Sequence, residues 1–232
     1  MVAQELGFDY IDTGAFYRCV TFAALSKGID PSDPTNTDQI SDIAEQAKIS
    51  LQTVFADSSN GAGKIPKQSL LPKTRVFLNS KDVTSEIRTG HVSKHVSAVA
   101  AVSKVRDAVL QKIRSIGVTD DGGRPLEPKS SNEGLVMDGR DIGTVVLPHA
   151  DLKVFLIADS RVRAERRLQE LVKIGSDPSL EILDVKAVQI DLERRDELDR
   201  TRKVSPLRKA DDAVELDTSC LTIEDQVDSS GM

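Results

Sequence analysis

The chain has 232 residues, 39% hydrophobic but only 3% aromatic, with 29% charged residues and a formal net charge of -6. That length suits one α/β domain with insertions, or two small domains, around an aliphatic core, and the acidic balance disfavours a general nucleic-acid binder. Cys19 and Cys220 are too far apart in sequence to read as a disulfide framework or a zinc spacing, which fits a reducing, cytoplasmic setting, and no run of 18 apolar residues is present to span a membrane.

Residues 2–6 read as the last turns of a helix closed by Gly7. Residues 8–11 form a strand, and Asp12-Thr13-Gly14 turn it into a helix over 15–27, capped by Asp12 or Thr13 and stopped by Gly28. Tyr17 and Arg18 then fall in the first turns of that helix, close to the strand's carboxyl end. A Pro/Asp/Thr loop at 30–36 precedes an amphipathic helix over 37–48. Residues 49–55 alternate as a strand, and 75–79 return as its hairpin partner across a polar loop at 56–73. Helices follow at 90–101 and 103–115, and the Gly/Pro/Ser-rich stretch 117–133 is expected to be a flexible loop.

Leu135-Val136-Met137 is a short apolar run that ends in Asp138-Gly139-Arg140-Asp141-Ile142-Gly143-Thr144. It reads as a buried parallel strand, and in open α/β sheets ligands lie beyond the carboxyl ends of such strands. Gly139 eases the turn, Arg140 offers a planar fork of donors, and Asp138 and Asp141 offer acceptors. Taken alone, the same loop could be a polar turn whose arginine and aspartates satisfy one another. A strand at 152–157, helices at about 160–174 and 180–199, a strand at 213–216 and the start of a helix at 223–227 complete the pattern. Strands alternating with helices predict a parallel sheet covered on both faces, interrupted by the hairpin as a small insertion.

Positions 161–210 hold 13 Lys/Arg, nine of them arginine, while 211–232 hold seven acids and no base. Arg163, Arg166 and Arg167 share one helix face, and Arg195, Asp199 and Arg202 share another. Solvated ion pairs are the commoner meaning of such stripes. Guanidinium groups gathered in one crevice repel one another unless phosphate fills it, which points to phosphoryl transfer. Two other motifs carry less. Gly61-Ala62-Gly63-Lys64 lacks the earlier glycine and the following Ser/Thr of a P-loop, because Ser58 and Ile65 stand there. His91 and His95 could face one metal from a helix, but no Glu-containing zincin pattern links them, ordinary surface or packing histidines are strongly favoured, and no metal site is expected.

Together these stretches resemble the bacterial-type cytidylate kinases, a nucleoside monophosphate kinase family. The resemblance rests on Tyr10-Ile11-Asp12-Thr13-Gly14-Ala15-Phe16-Tyr17-Arg18, Glu86-Ile87-Arg88-Thr89, Val96-Ser97-Ala98-Val99-Ala100-Ala101 with Val105-Arg106, Asp138 to Thr144, Arg163-Ala164-Glu165-Arg166-Arg167, Arg195, and Asp199-Arg200-Thr201-Arg202. It implies a P-loop NTPase-like α/β core over 1–34 and 91–232. A lid at about 160–175 and an inserted NMP-binding subdomain over 35–90 would complete it. The implied reaction carries the ATP γ-phosphoryl group, with Mg²⁺ on the nucleotide, to CMP or dCMP. Ser97, Arg106 and Asp141 would read the cytosine; Arg18, Arg140 and Arg202 would hold the acceptor phosphate; Arg195 and Asp199 would hold the ribose. Arg163 and Arg167 would close over the ATP phosphates, with Asp12, Thr13, Gly14, Tyr17, Asp138 and Gly139 lining the acceptor side. The resemblance further implies a monomer that engages neither nucleic acid nor membrane.

Members of that family begin with a strand and a Gly-rich P-loop whose lysine holds the ATP phosphates. This sequence is read as lacking both, so the expectation is a truncated chain with impaired ATP binding, and an organellar address would require residues upstream. A catalytically inactive CMP-binding or regulatory module on the same fold is the alternative.

Overall fold

Two glycines in the left-handed region stop the first two helices where the sequence places them: Gly7 has φ +69° and Gly28 has φ +73°. The architecture comes from a computed structural model, which describes residues 2–54, 73–116, 134–174 and 184–230. The expected loop at 117–133, nearly all of the polar loop at 56–73 and the glycine-rich decoy at 61–64 lie outside the described residues. The chain forms two units, Met1–Gly139 and Arg140–Met232.

The first unit runs α1 (Val2–Leu6), β1 (Asp9–Asp12), α2 (Gly14–Ser26), α3 (Thr37–Gln46), β2 (Ile49–Val54), β3 (Lys73–Leu78), β4 (Lys81–Asp82), α4 (Gly90–Ala101), α5 (Ser103–Ser115) and β5 (Leu135–Asp138). β1 and β5 pair in parallel with Asp9 opposite Leu135 and Asp12 opposite Asp138. β2, β3 and β4 form an antiparallel sheet. Its inner residues Val76 and Leu78, with Val83 just after β4, pack with Ile87 and Ala47 against Ala15 and Cys19 of α2. The hairpin therefore shares its core with the helix that leaves β1, and burial of these aliphatic groups drives the association.

The two-residue strand β4 was not foreseen. It is short, polar and created by its turn: Asn79 and Ser80 have φ of 49° and 69° without being glycine. Asparagine tolerates that region, and here its side-chain oxygen accepts from Lys48 N at 3.0 Å while its own N donates to Lys48 O at 2.8 Å. β5 also differs from expectation. Its residues are half-buried and Asp138 is exposed, not a fully buried strand, because among the described residues β5 pairs with β1 alone.

The second unit runs through one wide π-helical turn (Ile142–Val146), β6 (Val154–Ile157), α6 (Ser160–Ile174), α7 (Val185–Thr201), β7 (Val214–Asp217) and α8 (Ile223–Ser230). β6 and β7 pair in parallel, Val154 opposite Val214. Leu156 and Val214 are each 59% exposed on this ladder. α6 and α7 pack side by side, with Ala164, Leu171 and Val188 buried. The parallel ladders and flanking helices make this an α/β protein. No described helix is long and apolar enough to cross a membrane.

Candidate functional site

In the first unit the candidate residues collect at the carboxyl ends of β1 and β5, where a parallel sheet offers its crevice. Asp12 and Asp138 are register partners there. Asp12 Oδ1 accepts from Ala15 N at 3.1 Å, so its carboxylate caps the first turn of α2. A Cβ on Gly14 would meet that same oxygen at 3.0 Å, so the glycine leaves room for the cap. Thr13 is buried and donates from Oγ1 to Asp138 O at 2.7 Å, tying the two strand ends together. Tyr10 donates its hydroxyl to Asp138 Oδ1 at 3.1 Å. Burial, reinforced by Asp138 and Asp12, pushes the Tyr10 hydroxyl far above the usual tyrosine range.

Arg18 lies one turn into α2 and donates from one guanidinium nitrogen to Ser93 Oγ at 2.9 Å and to Ile87 O at 3.2 Å. Arg88 donates to Thr84 O at 2.7 Å and stands 4.0 Å from Asp12 Oδ2. Arg106 on α5 is buried, donates to Ala100 O at 3.1 Å, and has its Cζ 5.4 Å from the centre of the Tyr17 ring. Ser97 is buried on α4. Arg88, Ser93 and Tyr10 are additions that sequence reasoning gave no role. Arg88 lay inside a stretch already singled out, whereas Ser93 is 75 residues from Arg18 and had no local signal.

In the second unit Asp199 is the hub. Its Oδ2 accepts from Arg140 Nε at 3.1 Å, and its Oδ1 lies 3.5 Å from Arg202 NH1. Arg202 also donates from Nε to Ser205 O at 2.7 Å. Arg195 belongs to the same cluster: its guanidinium pKa is lowered first by burial and then by Arg140, with Asp191 and Asp199 opposing. Its Nε is buried and finds no hydrogen-bond partner among the described residues. Asp141 is buried, and its carbonyl accepts from Val145 N at 2.9 Å to start the wide turn. Asp199 thus pairs with both Arg140 and Arg202, and Arg195 lies near enough for Arg140, Asp191 and Asp199 to act on its charge.

The α6 arginines divide their work. Arg163 donates to both carboxylate oxygens of Asp196 on α7, one of them at 3.1 Å, and this pairing raises its pKa. Arg167 pairs with Glu170 at 3.1 Å. Arg166 serves the fold, donating to Thr218 O at 2.6 Å and Leu221 O at 3.2 Å beyond β7. Sharing a helix face therefore did not give these three arginines one role.

The family model for cytidylate kinase matches residues 1–230. The chain belongs to the cytidylate kinase family. It is 42% identical over 228 residues to a protein named cytidylate kinase from Limosilactobacillus reuteri, covering 98% of this chain and 84% of that one. A cytidylate kinase of Oceanobacillus iheyensis is 40% identical, with 98% and 83% covered, and one of Bacillus subtilis is 38% identical, with 98% and 85% covered. The expectation of an absent first strand and P-loop gains no support from these cytidylate kinase matches.

Proposed function

We propose that this chain transfers the γ-phosphoryl group of ATP to CMP or dCMP, giving ADP and CDP or dCDP. The observation that carries the reading is the Asp199 hub, where Arg140 and Arg202 pair with one carboxylate and Arg195 is close enough to feel its charge. Phosphoryl transfer asks a protein mainly for position and compensating charge, and guanidinium forks supply both. Arg18, Arg140 and Arg202 bind the acceptor phosphate. An arriving phosphate competes with Asp199 for Arg140 and Arg202, while Asp199 and Arg195 turn to the ribose.

Ser97, Arg106 and Asp141 recognise the cytosine. Buried donors and acceptors of this kind discriminate strongly, because the wrong base leaves them unpaired. Tyr17 supports the Arg106 guanidinium with its ring. Arg163 and Arg167 draw the 160–175 segment over the ATP phosphates, and the 35–90 segment, with its antiparallel sheet, covers the CMP side. Mg²⁺ bound with ATP would supply charge neutralisation, and the hard carboxylate oxygens of Asp12 and Asp138, register partners at the strand ends, are the groups that would hold it.

The test is a coupled assay of ADP formation with ATP, Mg²⁺ and each nucleoside monophosphate in turn. CMP and dCMP are expected to be turned over in preference to AMP and GMP. Turnover that ignores the base, or CMP that binds without being phosphorylated, would overturn the proposal.

A further inference from the structure

His91 and His95 stand one turn apart on α4, outside every group assigned above. Their ring centres are 5.0 Å apart. Two imidazoles sharing one tetrahedral ion, each nitrogen at ~2.0–2.1 Å, place their ring centres about 5 Å apart. The second observation is a hydrogen bond that orients the ligand. His95 Nδ1 is 2.9 Å from His91 O, and since a carbonyl only accepts, Nδ1 carries the proton. That leaves the Nε2 lone pair of His95 available, in the arrangement by which metal-binding histidines are commonly oriented. His91 is exposed and His95 is half-buried, and among the described residues neither ring makes another hydrogen bond or ion pair.

We propose that His91 and His95 form a surface site for a borderline divalent cation of the Zn²⁺, Ni²⁺ or Cu²⁺ class, with water in the remaining positions. No third histidine, cysteine or carboxylate joins them among the described residues, so the site is a two-nitrogen clip. Imidazole ligands select these ions over Mg²⁺ and Ca²⁺, which keeps the site chemically separate from ion-bearing ATP. The clip spans the α4 turn that carries Ser93, the residue that accepts from Arg18. Cation binding would therefore stiffen that turn, and binding to the folded state alone raises thermal stability.

The test is calorimetric titration of the full chain with Ni²⁺, paired with thermal unfolding followed by circular dichroism. One ion per chain and a higher melting temperature with Ni²⁺ are expected. His91→Ala, which keeps the backbone carbonyl that orients His95, should weaken binding about tenfold or more. His149→Ala and Cys220→Ser, the other exposed soft ligands, should bind as the parent does. A parent that takes up no Ni²⁺ at about 1 mM overturns the proposal, as does His91→Ala that binds unchanged. Should His95→Ala fail to fold, the His91→Ala arm still decides.

Discussion

Arg140 donates from Nε to Oδ2 of Asp199 at 3.1 Å across 59 residues of sequence. That one bond joins the loop after β5 to the far end of α7, and on the opposite carboxylate oxygen the same aspartate meets Arg202. Neither arginine alone says much. Held by one carboxylate, they are the pair that the proposed function has release it to the acceptor phosphate.

Replacing Asp199 by Asn keeps the shape and removes the charge. The Asp199 and Arg202 side chains are 9% and 5% exposed, so the substitution takes a counter-charge from an arginine in a dry setting. A loss of about 3 kcal/mol is expected by urea unfolding. Unchanged stability would show that the other partners of Arg202, Ser205 O among them, satisfy it.

The centre of the Tyr17 ring lies 5.4 Å from the Arg106 guanidinium carbon, and in the proposed function the ring carries the role. Tyr17→Phe is expected to leave the CMP KM near that of the parent. Tyr17→Leu, which removes a cation–π contact of ~0.5–2 kcal/mol, should raise it several-fold with kcat nearly unchanged. A defect of equal size in Tyr17→Phe would place the role on the hydroxyl instead.

Cys19 and Cys220 differ in reactivity for a physical reason. Cys19 is buried, and that burial, helped by Asp12, pushes its thiol up to about 12. Cys220 is exposed. Since the thiolate is the reactive form, a thiol reagent at pH 8 should modify one cysteine quickly in the native protein. The second should react only on unfolding. Two fast thiols would contradict the packing of α2 against the antiparallel sheet.

Asp82 has the opposite shift. Its carboxylate accepts from Thr84 Oγ1 and Thr84 N, and from Arg75, which lowers its pKa from 3.8 to about 2. A depressed carboxyl favours the fold above the unfolded value and loses that contribution as pH falls from about 4 through about 2. An NMR titration of the Asp82 carboxyl carbon should show a midpoint about 2. A midpoint at 3.8 would mean that the Thr84 and Arg75 contacts are not kept in solution.

Much of the fold was legible, and the failures have causes. The strand near Ile11 and the helix after it follow from an apolar run, an aspartate cap and Gly28 at the far end. The helix boundaries at 90–101 and 103–115 follow from Val/Ala periodicity broken at Val102. β4 escaped because a turn made by Asn79 and Ser80, not by its own residues, creates it. The exposed side of β6 and β7 escaped because an apolar run does not tell how many neighbours its strand will have. In the candidate site the arginines were visible as residues, but their division of labour was not. Arg166 reaches backbone carbonyls 52 and 55 residues away, and nothing local to α6 distinguishes it from Arg163.

The most direct test of the central claim is calorimetric titration with CMP and with cytidine, for the parent, Arg140→Met and Arg202→Met. If the guanidinium cluster holds the acceptor phosphate, each substitution should weaken CMP by about 10- to 150-fold, the ~1.5–3 kcal/mol of a charge-assisted contact. Cytidine affinity should stay unchanged. Equal weakening of CMP and cytidine, or no weakening of either in variants that remain folded, would contradict the account.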